Sequence, residues 1–230
     1  MWLPFHSSAQ SQPSTNVVSV RELSIPPKAL RAFERGIECL AKKDAAGSLP
    51  HFQRAISIFA GYYEAYDRMG AADLKLWRIQ EAEQAFRKSI ELSGGRYAHP
   101  LLALGAILDD REQFTEAEAV TRKGLDLNPD SWTGHYYLGL ALSGLNRLEE
   151  AKKSVLEALR RNTNFPEAHL LLADIHSREK DYRSLVSDLD DYLELAPDGP
   201  ASARVKAFRE SARRLLFESQ SATVLAEPQP

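Results

Sequence analysis

The sequence predicts an all-α protein, an α-solenoid of stacked helical hairpins, and three observations predict it. Small residues return every 34 or 35 positions, at Gly36, Gly70, Gly105, Gly139 and Ala173. From each of them a second slot lies 12 residues on, at Ser48, Ala82, Ala117, Ala151 and Leu185. A third lies 7 beyond that, at Ala55, Ser89, Gly124, Ala158 and Tyr192. Only Leu185 and Tyr192 of these fifteen slots are large, whereas Gly, Ala and Ser together make up about a quarter of an ordinary chain. Seven residues are nearly two helical turns, so the second and third slots share one face of one helix. Helices approach closely there, once per repeat. Glycine and proline then close the units, in "ELSGG" (91–95), "LNPD" (127–130) and "LAPDG" (195–199), where they stop a helix.

Residues 1–28 precede the first unit and read as largely extended or disordered. Within them "VVSVREL" (17–23) is β-prone and stands alone before Pro26-Pro27. Five units follow, at 29–62, 63–97, 98–131, 132–165 and 166–199. Each carries a bulky or β-branched residue between its later small slots, at Phe52, Phe86, Thr121, Val155 and Leu189. A further set, Ala45, Ile79, Phe114, Leu148 and Tyr182, sits at the turn between helices and is mostly large and apolar. Residues 200–219 read as an amphipathic capping helix with Val205, Phe208, Leu215 and Leu216 on its apolar side. Such a helix is expected where an array would otherwise end on an apolar face. The basic stretch Arg204 to Arg214 reads as its wet side, and 220–230 as a disordered tail.

The period and slots resemble the tetratricopeptide repeat, a helix-turn-helix unit that stacks into a right-handed superhelix. The resemblance covers about Ala29 to Pro197 and is closest in "YYEAYDRMGAADLKLWRIQEAEQAFRKSIELS" (62–93) and "HYYLGLALSGLNRLEEAKKSVLEALRRN" (135–162). It implies that the first helix of each unit lines a concave groove that takes a peptide or helix of a partner protein. Carried over slot by slot, the groove residues are Phe33 and Ile37 in the first unit and Glu64, Asp67, Leu74 and Lys75 in the second. The third offers His99, Leu102 and Asp109, the fourth Tyr136 and Leu140, and the fifth Glu167, Leu170 and Asp174. Leu102 and Tyr136 are the expected central anchors. The set is apolar and acidic, so it implies an amphipathic or basic-flanked apolar segment as ligand. Some members of the family grip a terminal carboxylate with cationic side chains. Here those slots hold Phe33, Ile37, Ala71, His99 and Ala103, so no such clamp is expected.

Composition narrows the classes further. The chain has 230 residues, 43% hydrophobic and 27% charged, which excludes global disorder. A net charge of −3 gives no general attraction to nucleic acid, and the base-reading helical repeats of similar length require a basic groove that this chain lacks. A single cysteine, Cys39, excludes an internal disulfide. No run of eighteen apolar residues is present, so direct membrane insertion by a helix is not expected. The start has no basic n-region and its apolar run breaks at Pro4. The chain therefore reads as cytoplasmic as it stands, and as periplasmic or secreted if a signal peptide precedes it.

No nucleophile elbow, phosphate-binding loop or zinc-protease motif is present, so no catalytic residue and no cofactor is assigned. His135 and His169 share one slot in adjacent units and read as packing residues rather than metal ligands. The acidic run "DLDDYLEL" (188–195) reads as a solvated helix face. The expectation is a non-catalytic scaffold that binds another protein. The alternative is a substrate-presenting or regulatory region of a larger enzyme or envelope assembly, and self-association through the terminal repeats is a third reading.

Overall fold

A computed structural model describes residues 25–226, and among them the chain forms eleven α-helices and no strand. The β-prone stretch 17–23 lies outside the described residues. The helices pair into five hairpins: α1 (Pro27–Ala41) with α2 (Ala45–Ile58), α3 (Tyr63–Lys75) with α4 (Ile79–Ser93), and α5 (Ala98–Asp110) with α6 (Phe114–Leu127). Next come α7 (Trp132–Gly144) with α8 (Leu148–Arg161), α9 (Pro166–Glu179) with α10 (Tyr182–Leu195), and finally α11 (Ser202–Ala226). Two compact units emerge, Met1–Pro129 carrying α1–α6 and Asp130–Pro230 carrying α7–α11.

Local chemistry sets the helix ends. Prolines stand at the first position of α1 and α9, where no amide hydrogen is needed. Asp44, Ser131 and Asp181 cap α2, α7 and α10 by accepting from Gly47 N at 2.7 Å, Gly134 N at 3.1 Å and Ser184 N at 3.1 Å. Gly94 ends α4 in the left-handed conformation. The turn inside each hairpin also passes through that region, at Lys43, Trp77, Glu112, Asn146 and Lys180, spaced like the repeat itself.

The recurring small residues fit inside the hairpins. A Cβ added at Gly36 would stand 2.5 Å from the ring of Phe52, and one at Gly139 would stand 2.6 Å from a Val155 methyl. The first helix therefore lies directly on the bulky residue of the second, and these residues are fully buried. Burying each such side chain contributes about 1.5–3 kcal/mol. Aromatic side chains then lock neighbouring hairpins within each unit. Tyr62 sits 5.0 Å from Phe33, Tyr97 sits 5.2 Å from Tyr63, and Phe165 lies edge-on to both Trp132 and Tyr136 at 4.7 Å.

The last hairpin departs from the small-residue rule because its neighbour is different. Leu185 and Tyr192 pack with Leu189, Leu193, Val205 and Ala212, so these large slots meet α11 rather than the first helix of another repeat. This helix differs from the expected cap in three respects. It continues to Ala226, into the stretch expected to be disordered. Its buried face is Val205 and Ala212, while Phe208 and Leu215 are exposed. Its arginines are not simply wet either, since Arg209 and Arg213 reach Asp190 on α10 at 2.9 and 3.3 Å.

Candidate functional site

The first helices α1, α3 and α5 belong to one unit and α7 and α9 to the other, so the expected groove residues form two sets. In the first unit, Phe33 turns inward and contacts the rings of Phe52 and Tyr62. Ile37 and Glu64 are half-buried, and Lys75 is exposed. Leu74 is buried with Ala82, Phe86, Ala103 and Ile107. Asp67 is fully buried and is met by His99 Nδ1 at 2.6 Å and by the Tyr97 hydroxyl at 3.3 Å. Burial pushes the Tyr97 phenol well above its usual range, and the neighbouring Asp67 charge adds to the shift. This trio joins α3 to α5.

Leu102 requires a correction. Its side chain lies over Gly124 of α6, within 2.5 Å of where a Cβ would stand, and it is 6% exposed. The residue expected to anchor a ligand thus fills the third small slot of its own repeat. Asp109 is likewise buried, with neither carboxylate oxygen hydrogen-bonded, and burial raises its carboxyl to about 8. Buried, it offers no acidic contact to a ligand.

In the second unit Tyr136 is also corrected. It is 8% exposed, with its ring held edge-on by Phe165. Leu140, Glu167 and Leu170 are half-buried, and Asp174 is exposed beside Arg178 at 3.6 Å. That arginine donates to the Ser143 carbonyl at 3.0 Å and to Asn146 Oδ1 at 2.8 Å, tying α9 to the end of α7. The accessible part of the second set is therefore Leu140, Glu167, Leu170 and Asp174. In the first it is Ile37, Glu64, Lys75 and His99, whose side chain is 42% exposed.

Comparison with known proteins agrees with this architecture. The tetratricopeptide repeat family profile matches residues 134–165, most of the fourth hairpin. Tetratricopeptide repeat protein 16 of Macaca fascicularis is 23% identical over 187 residues, 79% of this chain. The chain spans about a fifth of that relative's length, 21%. Residues 41 to the end of MamA from Desulfovibrio magneticus RS-1 superpose with a TM-score of 0.65 at 21% identity, covering 76% of this chain and 99% of that one. YrrB, described as a TPR protein with an unusual peptide-binding site, superposes with a TM-score of 0.64 at 16% identity, covering 82% and 95%. The chain has a tetratricopeptide-repeat-like fold.

The slot pattern proves better at finding packing than at finding exposure. It missed the aromatic joints at Tyr62, Tyr97 and Phe165, although all three stand just before a first helix. It also misjudged the acidic run on α10. Asp188 is buried and meets His176 Nδ1 at 2.7 Å, so this face is not simply solvated. No helix among the described residues is long and apolar enough to cross a membrane.

Proposed function

We propose that the chain is a non-catalytic scaffold whose first helices bind an apolar, basic-flanked segment of another protein. One observation in the second unit carries the reading. Leu140 on α7 and Leu170 on α9 keep part of their surface open, Leu170 also packing toward the core under α11. Leu138, Leu142, Leu171 and Leu172 on the same two helices are buried, and Glu167 and Asp174 share the face of α9 that carries Leu170. Repeat register places Leu140 and Asp174 in one slot of adjacent hairpins, with Leu170 one turn before Asp174. An apolar patch rimmed by carboxylates suits a segment with apolar knobs and lysine or arginine beside them. In the first unit, half-buried Ile37 and Glu64 have the same character. The peptide-binding site described for YrrB supports a peptide-like ligand as the class.

Crosslinked capture of partners tests this. The wild-type chain is compared with Glu167→Lys/Asp174→Lys and with Glu150→Lys, a charge reversal on the exposed surface of α8. The expected outcome is a partner held by the wild type and by Glu150→Lys, with recovery falling roughly tenfold in the double variant. Equal capture by all three proteins contradicts the reading.

A further inference from the structure

On the opposite side of α9 two helices bring imidazole and carboxylate groups together. Residues 167, 170 and 174 share one face of the helix. At 100° per residue His169 and His176 project from the other, toward α10. His169 Nδ1 lies 3.8 Å from Asp188 Oδ1 and 3.6 Å from Asp191 Oδ2, and the three donor atoms all lie within 4.8 Å of one another. Those separations are too long for hydrogen bonds, and His169 Nδ1 is a buried nitrogen with no partner. A buried polar atom left unpaired is costly.

We propose that His169, Asp188 and Asp191 bind a divalent transition-metal ion, zinc fitting best, that pins α9 to α10. Zinc–nitrogen and zinc–oxygen bonds of about 2.0–2.2 Å place neighbouring donors of a tetrahedron roughly 3.4 Å apart, close to the two separations of His169 Nδ1 from the carboxylates. One dication satisfies the orphan nitrogen and neutralises both carboxylates. The donor set sorts the metals: one imidazole and two carboxylates suit zinc, manganese or cobalt. Calcium instead takes six to eight oxygens, and copper(I) prefers sulfur. Asp188 and Asp191 are three residues apart on α10, so the helix itself fixes their spacing. His176 meets the other oxygen of Asp188, Oδ2, at 2.7 Å and so orients Oδ1 toward His169. The Asp191 side chain is 48% exposed, which leaves a solvent path for the ion and a place for water as fourth ligand.

The experiment is calorimetric titration of the untagged full chain with zinc alone, repeated with cobalt to read the visible absorption of a four-coordinate ion. Wild type is expected to take up about one equivalent. Affinity is expected to fall about 10–100-fold in His176→Gln, which removes only the orienting contact, and further in His169→Gln and Asp191→Asn. Asp191 is half-exposed, so its asparagine variant keeps the helix pair folded, as far-ultraviolet circular dichroism would verify. Absence of saturable uptake by the wild type overturns the proposal. So does uptake that Asp191→Asn and His169→Gln both retain.

Discussion

Asp109 shows how one side chain carries a pH dependence through the fold. Its carboxyl is buried without a hydrogen bond, and burial lifts it to about 8, against a usual value near 4. Between those values the folded chain holds a proton that the unfolded chain has released. Stability therefore falls as pH rises from about 4 toward about 8, and the penalty is complete above that. Asp109→Asn removes the titrating group and keeps a similar shape. Its urea midpoint is expected to exceed that of the wild type at about pH 9, by more than at about pH 5. A wild-type midpoint that stays constant across that interval would show that the folded carboxyl is not raised. The same residue shows a limit of sequence reading: an aspartate in a first-helix slot looks like an acidic contact until its burial is known.

At the scale of the element, much of the architecture was legible. Gly36 and Gly139 stood out because only the smallest residue lets a first helix lie on Phe52 or Val155, and that requirement repeats with the hairpin. Slots cannot say whether a leucine on a first helix points outward or folds back onto its own partner, and Leu102 folds back over Gly124. The buried face of α11 escaped detection for another physical reason. Arg209 lies between Val205 and Ala212 in the helical stagger and is accommodated there by Asp190, so an apolarity pattern shifts the face toward Phe208. The terminal element gives a sharp test. Val205 is 6% exposed among Leu185, Leu189 and Tyr192, so Val205→Asp is expected to cost roughly 2 kcal/mol or more. Hydrogen exchange should then rise in α10 and α11 and stay unchanged in α1–α4. Unchanged exchange in α10 would mean that α11 does not cover it.

At the scale of the molecule, two compact units each stack hairpins by local contacts, and an array of this kind is stabilised by nearest neighbours. Fold follows from the repeat, whereas function rests on which side chains each unit leaves open. The slots could not tell which side chains a first helix leaves open: Tyr136, the expected anchor, is buried, while Leu140 on the same helix is partly open. The direct test is a photocrosslinking amino acid placed in turn at Leu140, Leu170, Leu156 and Leu195. Leu140 and Leu170 stand on first helices, whereas Leu156 and Leu195 are exposed on α8 and α10. Adducts with one partner protein from Leu140 and Leu170, and none from Leu156 or Leu195, are the predicted result. Adducts confined to Leu156 or Leu195 would contradict the account and move the binding surface to the second helices.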